Sequence, residues 1–129
     1  MRSKWQSLSG SGYRLVDLGR PAVFLLPTKK LSRAIEKDLH WFIVAHFGAY
    51  TTSTIPSFGF WKNAERATIS DECRIYEVSF LGKDRIPVLL KKLAKVAAQI
   101  EEECIYVKAG QYTALVYPKR TKRRKPSRQ

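Results

Sequence analysis

The sequence predicts an α+β domain built on one antiparallel sheet, and three observations support that class. Residues 84–100 form an amphipathic helical pattern that leads into two short β-prone segments, 104–107 and 112–117. A short apolar run and a second helical pattern precede them, and a short aromatic strand (59–62) and a longer alternating strand (71–80) lie between the two helical patterns. This order, β-α-β-β-α-β with an extra C-terminal hairpin strand, is the ferredoxin-like plan with two helices on one face of the sheet.

The first half of the chain begins with a strand and a long helix. Residues 22–26 are continuously apolar and are closed by Pro27, which is typical of a buried strand. From Thr28 a helical pattern runs to Gly48, the natural helix end. Residues 41–45 are also β-prone, but the unbroken pattern before them favours helix. The apolar face of this helix is expected to carry Leu31, Ile35, Leu39, Phe42, Ile43 and His46.

The middle of the chain predicts a loop, a strand and the second helix. Residues 49–58 are rich in hydroxyl groups and form either an exposed loop or a loop that binds a polar ligand. Residues 71–80 alternate as a strand. Asp84 is the expected N-cap of the next helix, and Pro87 lies in its first turn. The apolar stripe comprises Ile86, Leu89, Leu90, Leu93, Val96, Ala97 and Ile100, with Lys91, Lys92 and Lys95 opposite.

The sheet face that the helices leave uncovered needs another occupant. Tyr76, Val78 and Phe80 share one face of their strand, whereas Glu77 and Ser79 share the other. If the helices cover the side of Glu77 and Ser79, then Tyr76, Val78 and Phe80 form the uncovered face. We expect that face to be buried against another subunit.

The chain divides into a flexible N-terminal arm (1–20), a single domain (21–117) and a disordered basic tail (118–129). The net charge is +13; seven positive charges and no acid lie in the tail, which leaves +6 for the rest. The tail either contacts nucleic acid weakly through phosphates or acts as a solubilising or tethering extension.

The composition argues against several classes of protein. No apolar run has the length of a membrane span, and the N-terminal residues lack a signal-peptide pattern, so we expect no membrane contact and a cytoplasmic location. Cys73 and Cys104 lack metal-ligand spacing and are expected to be reduced thiols. His40 and His46 find no partner in a recognisable pattern, so no metal site is expected.

Acidic residues are the candidate functional groups, because no nucleophile–base pair, phosphate loop or metal motif is present. Asp71 and Glu72 begin a strand, and three glutamates at 101–103 follow a helix, where carboxylates oppose the helix dipole. Neutralisation by nearby lysines is the simpler explanation for Glu101 and Glu102. Glu103 leads directly into a strand and is the better candidate for a site.

Several short motifs, taken in order, resemble one enzyme family. Residues 102–107 (EECIYV) and 113–117 (TALVY) resemble the C-terminal half of the phage S-adenosylmethionine lyases, long described as S-adenosylmethionine hydrolases. The helix before them is similar, and residues 59–62 (GFWK) resemble a glycine-aromatic segment of that family. The resemblance covers residues 22–117 and rests on the order and spacing of these motifs.

The resemblance implies a set of site residues. Glu72 falls where the family has its catalytic glutamate, with Asp71 as the alternative if the alignment shifts by one residue. Trp61 replaces a family tyrosine that works with this glutamate, so a role that needs only a ring face is retained. Gly48 and Tyr50 resemble a glycine-tyrosine element. The expected substrate-binding residues are Glu103, Tyr50, Thr51 and Phe60.

The resemblance also implies an activity, the cleavage of S-adenosylmethionine (SAM) to 5'-methylthioadenosine and L-homoserine lactone. SAM is the substrate, with no cofactor and no metal. Its own carboxylate attacks the γ-carbon, so the enzyme supplies no nucleophile. The resemblance further implies a homotrimer with active sites between subunits, and a phage counter-defence role through removal of the cofactor for host methylation.

Two other classes remain open. Ferredoxin-like sheets bind RNA through exposed aromatic residues and the tail is basic, so a nucleic-acid-binding module is the first alternative. Against it, no strand carries the aromatic-rich signature of that module. A non-catalytic phage protein that inhibits a host enzyme by binding is the second alternative.

Overall fold

A computed structural model describes residues 4–8, 10–53, 56–62 and 65–119 of the chain. The elements are β1 (Arg20–Pro27), α1 (Arg33–Phe47), β2 (Thr51–Thr52), β3 (Ser57–Lys62), β4 (Thr68–Phe80), α2 (Arg85–Gln99), β5 (Ile105–Ala109) and β6 (Tyr112–Val116), with 3-10 turns at Lys4–Leu8 and Thr28–Lys30. The sheet order is β2-β4-β1-β5-β6, and β3 also pairs with β4. This antiparallel arrangement confirms the predicted ferredoxin-like plan. Most of the predicted basic tail, from residue 120 onward, lies outside the described residues.

The centre of the sheet is the antiparallel pair β1–β4, which decides what each face buries. Phe24 lies directly opposite Tyr76, and their rings stack with centroids 5.1 Å apart. Tyr76, Val78 and Phe80 are all buried in the core that both helices complete. The expectation that these three form the uncovered face was therefore wrong. The helices cover the apolar side of β4, because burying it removes the most hydrocarbon from water, and Glu77 remains on the other face.

The uncovered face of the sheet carries both apolar and charged side chains. In the strand register, Val23 of β1 lies between Glu77 of β4 and Lys108 of β5. The apolar residues of this face, given by the alternation along the paired strands, are Val23, Leu25, Ile75, Tyr106 and Leu115. The face is thus different from the expected one, and a subunit partner for it stays a prediction.

The helices begin and end where local chemistry allows. The Ser32 side chain accepts a 3.2 Å hydrogen bond from the Ile35 N–H, so α1 begins after Ser32, and a 3-10 turn takes up the preceding part of the predicted helix. Gly48, at a φ of 85°, ends the helix as predicted, because this conformation favours glycine. In α2, Pro87 lies in the first turn as predicted, while Asp84 is the N-cap without a side-chain hydrogen bond.

The helices pack their predicted apolar stripes onto the sheet, with two departures. The buried helical residues are Leu39, Ile43, Leu89, Leu93, Val96 and Ala97. His46 is exposed instead of sharing the buried face. Lys92 lies between the helices, with its Nζ 2.5 Å from Asp38 Oδ2 and 5.1 Å from the centre of the Phe42 ring. The hydrogen bond from Lys92 lowers the pKa of Asp38. Neither of the described helices is both long and apolar enough to cross a membrane.

Truncating the α2 side chain at the centre of the core tests the packing. Leu93 has no exposed surface, so Leu93→Ala should lower the free energy of unfolding by about 2–5 kcal/mol, measured by urea denaturation. Leu8→Ala is the matched control, because Leu8 is 53% exposed, and it should change stability by less than about 0.5 kcal/mol. Equal effects of the two substitutions would contradict this core.

Candidate functional site

Glu72 lies at the end of the sheet at which β1 ends, one residue beyond the pairing of Pro27 with Cys73. The Thr28 hydroxyl donates a 3.3 Å hydrogen bond to the Glu72 carbonyl, which ties the turn after β1 to β4. A small cleft of about 40 Å³ opens here, and its lining residues are Thr28, Ser53, Pro56, Glu72, Cys73 and Arg74. Because this volume is close to that of one water molecule, the cleft in a single chain holds little more than solvent.

Among the described residues, the carboxylate of Glu72 has no partner, and the same is true of its neighbour Asp71, whereas two other glutamates are paired. Glu36 accepts a 3.0 Å ion pair from Arg74, and Glu102 accepts one of 2.7 Å from Lys30. Among the described residues, no hydrogen bond or ion pair reaches the Glu72 side chain. Burial is the main cause of the raised pKa of the Cys73 thiol. The charges of Asp71 and Glu72 also contribute to it. This end of the sheet therefore offers an unpaired negative charge to a cation.

The aromatic segment lies on β3, which forms a two-stranded ribbon with the first half of β4. Phe58 is directly opposite Glu72, and Phe60 is opposite Ser70, so both aromatic rings share the face of Glu72. Trp61 lies opposite Ile69, on the face of Asp71. Within one chain the structure thus groups Glu72 with Phe60, and Trp61 with the alternative acid, Asp71.

Phe58 is a neighbour of Glu72 that the sequence reasoning missed. It is 61% exposed, two residues before Phe60 on the same face of the ribbon. The alternation of residues 57–62 as a strand was the available signal. The predicted loop over residues 49–58 concealed it, because β3 begins inside that range.

Glu103 lies on the other side of β1 from Glu72. It is exposed. Burial is the main cause of the raised pKa of Cys104, and a hydrogen bond with Cys104 is the main cause of the raised pKa of Tyr117. The charge of Glu103 contributes to both shifts. Two strand spacings separate β4 from β5, or about 10 Å. Glu102 is neutralised by Lys30 as predicted, whereas Glu101 presents only its carbonyl to that lysine, at 3.2 Å.

Tyr50 and Thr51 line a larger cleft, of about 390 Å³, elsewhere on the edge of β4. The Tyr50 hydroxyl lies 2.9 Å from His40 Nδ1, and its ring stacks on Tyr76 at 6.0 Å. Thr51 pairs with Glu77. The rise of a strand places Glu77 about 17 Å from Glu72. The predicted site residues therefore fall into separate groups within one chain.

In the ranges that the structure describes, no three His, Cys, Asp or Glu side chains converge as metal ligands would. Cys73 and Cys104 are free thiols.

The fold and clefts define the chain as a ferredoxin-like α+β protein with small-molecule-sized concave space beside its longest strand. One comparison with solved structures supports the fold. No protein-family model matches the chain, and no curated protein sequence does. Among solved structures, it is similar to a phage SAM lyase in complex with S-methyl-5'-thioadenosine, with a TM-score of 0.58 and 11% identity. The match covers 84% of this chain and 96% of the other. The two proteins share a fold, the one that the sequence resemblance implied.

Proposed function

We propose that this protein is a SAM lyase that converts SAM to 5'-methylthioadenosine and L-homoserine lactone. The observation that carries the proposal is the fold shared with a phage SAM lyase over nearly the whole of that chain, reached independently of the motif resemblance. The unpaired Glu72 carboxylate supports it, since SAM is cationic at both its sulfonium and its ammonium group. A fold alone does not fix an activity, so the charge at this site matters.

The reaction requires positioning more than reactive side chains. The SAM carboxylate attacks the γ-carbon, the C–S bond breaks, and the thioether leaves with the electron pair, so the balance needs neither water nor a cofactor. Glu72 binds the α-ammonium group and thereby orients the adjoining carboxylate. An anion held against the sulfonium would slow the reaction, because that charge disappears in the transition state. The exposed rings of Phe58 and Phe60, on the face of Glu72, exclude water from the SAM carboxylate. The exposed ring of Trp61 lies on the opposite face of the ribbon and does so at the site of a neighbouring subunit.

A neighbouring subunit completes the site in this proposal. The cleft beside Glu72 is too small for SAM, and Glu103 lies across the sheet from it. A cyclic homotrimer brings two different surfaces of the same chain together at each interface, and so can join Glu72 of one subunit to Glu103 of the next. The mixed apolar and charged face of the sheet supplies contact area around the axis.

The biological consequence is depletion of SAM in the cytoplasm of an infected host, which blocks methylation and the restriction systems that use it. The nucleic-acid-binding alternative depends mainly on the basic tail, most of which lies outside the described residues.

The products and the fate of water test the reaction. Purified protein incubated with SAM should release methylthioadenosine and homoserine lactone, separated by chromatography. With ¹⁸O-labelled water, freshly formed lactone should contain no label, because both of its oxygens come from the substrate carboxylate. Label in the lactone at the earliest times would mean that water takes part and would refute the mechanism.

Removing the charge of Glu72 tests the proposed site. Glu72→Gln keeps the shape but removes the ammonium partner, so turnover should fall by at least about 100-fold while the melting temperature changes little. Glu101→Gln is the matched control: its exposed side chain has no described partner, and it should keep wild-type turnover. Trp61→Phe should be mild and Trp61→Ala severe, and Glu103→Gln should mainly raise KM. Near wild-type turnover by Glu72→Gln would remove Glu72 from the site.

The uncovered sheet face tests the assembly. Light scattering at micromolar concentration should give the mass of a trimer. Leu25→Glu places a charge among apolar residues of this face and should dissociate the trimer, because an unpaired charge is costly to bury. Lys91→Glu, on the exposed side of α2, is the control with a larger charge change. A stable wild-type monomer would contradict the shared-site proposal.

A further inference from the structure

The outer edge of β6 carries unpaired backbone groups, because β6 is the last strand on its side of the sheet. The Gly110 N–H donates a 2.9 Å hydrogen bond to the Pro21 carbonyl, so the backbone groups of Gly110 point toward β1. Backbone direction alternates along a strand, so Val107 points the other way, toward β6. Val107 pairs with Ala114. The two residues that flank Ala114 therefore point away from β5, to the open edge.

The open edge is formed by these two residues, Thr113 and Leu115. Among the described residues, nothing pairs with their outward N–H and C=O groups. Such an edge accepts an added strand unless charges, prolines or a bulge protect it. Residues 112–116 contain no charge and no proline. Tyr112 is 74% exposed and Leu115 is 53% exposed, on opposite faces of the strand, so the edge is apolar on both sides.

The residues before β1 have the complementary features. The arm segment, residues 13–18, belongs to no helix or strand of its own chain. Leu15 and Val16 are 42% and 62% exposed, and consecutive residues of an extended segment point to opposite faces. The charges of Arg14 and Asp17 cancel. The arm segment therefore offers free backbone groups and hydrocarbon on both faces, as a strand added to β6 would.

The arm segment does not reach the β6 edge of its own chain. Leu18 lies with Phe80 in the lining of the larger cleft, on the β4 side of β1. β6 lies on the other side of β1, two strand spacings or about 10 Å away. Gly19 alone links the arm segment to β1, and one residue spans about 3.5 Å. Any side chain on Gly19 would collide with the Phe80 carbonyl, so the chain passes closely over the end of β4.

We propose that the arm segment of one subunit adds as a strand to β6 of a neighbouring subunit. The backbone groups of both then find partners, and apolar side chains of both leave water. The contact joins two different surfaces of the same chain, and head-to-tail contacts of this kind close into rings. The inference rests on the homotrimer of the proposed function and names a contact that holds it together, but it does not require SAM cleavage.

Charge favours a parallel alignment of the arm segment with β6. Asp17 is the only acid of residues 1–20. Its carboxylate accepts a 2.9 Å hydrogen bond from the Gly19 N–H, which leaves one oxygen free. In the parallel alignment Asp17 lies toward Lys119, which follows β6, and Arg14 lies at the far end. The antiparallel alignment would bring Arg14 toward Lys119, where like charges repel.

Hydrogen exchange of the full chain, followed by nuclear magnetic resonance, tests whether the edge is covered. At concentrations where the protein is a trimer, the Thr113 and Leu115 amides should exchange at least about tenfold more slowly than unprotected amides. A bare edge predicts fast exchange, because among the described residues neither N–H has an acceptor.

Removing apolar side chains of the arm segment tests the occupant. The double variant Leu15→Ser, Val16→Ser should lose the protection of both amides and raise the dissociation constant of the trimer at least about tenfold. Both side chains are exposed within one chain, so the fold of the subunit should be unchanged by circular dichroism. Leu81→Ser is the matched control, because Leu81 is 60% exposed and belongs to neither surface, and it should alter neither quantity.

Two variants of Thr113 separate strand pairing from side-chain contact. Thr113→Ala keeps the outward N–H and should assemble as the wild type does. Thr113→Pro removes that N–H, a change that an edge strand tolerates, and should weaken assembly about tenfold. If Thr113→Pro does not fold, the double variant of the arm segment decides the question, because it leaves the sheet unchanged.

Two results would overturn the arm exchange alone. The first is fast exchange of the Thr113 and Leu115 amides in a protein of trimer mass. The second is protection that survives the double variant, which would mean that a different segment covers the edge. A wild-type monomer would refute the homotrimer together with the arm exchange. Conversely, a protein with a protected edge that releases no lactone would refute the lyase proposal alone.

Discussion

The antiparallel pairing of β1 with β4 is the interaction on which the rest of the structure depends. Its register runs from Arg20 opposite Phe80 to Pro27 opposite Cys73. That register places Phe24 against Tyr76 and decides which face both helices cover. β4 is longer than β1, so its first residues extend beyond the core. They form the ribbon with β3 that carries Glu72 and the exposed aromatic rings.

Local chemistry was enough to predict the helices, the long strand and the final hairpin in their order, but not β2 or the start of β3, which lie inside the predicted loop over residues 49–58. The apolar stripe of α2, the end of α1 at Gly48 and the final hairpin all follow from periodicity and turn residues. Which face of β4 the helices cover was not predictable in the same way. Tyr76, Val78 and Phe80 alternate with Glu77 and Ser79, and alternation defines two faces without saying which one the helices cover.

The separation of the predicted site residues was also not predictable from the sequence. Trp61 and Glu72 are close in sequence, but the register of β3 on β4 places them on opposite faces. Lys92 belongs to a polar position of the helical pattern, and its long side chain nevertheless reaches Asp38 between the helices. Long-range pairing decides both cases, and no local pattern encodes it.

A protein with this fold and charge distribution needs little catalytic apparatus to be a lyase. The substrate brings both the nucleophile and the leaving group, so a carboxylate that orients the ammonium group and rings that exclude water are sufficient in principle. The ion pairs of Glu36 and Glu102 leave Glu72 and Glu103 as acids without described ion pairs on opposite sides of β1. In the shared-site proposal, Glu72 of one subunit and Glu103 of the next bind one substrate molecule.

Complementation between inactive variants tests this shared site most directly. Glu72→Gln removes the ammonium partner, and Glu103→Arg repels the cationic substrate, so each variant alone should be inactive at low SAM. When the two are unfolded together and refolded at equal amounts, about one quarter of the interfaces combine an intact Glu72 with an intact Glu103. The account predicts recovery to about that fraction of wild-type turnover. Activity that stays at the level of the separate variants, at every mixing ratio, would contradict it.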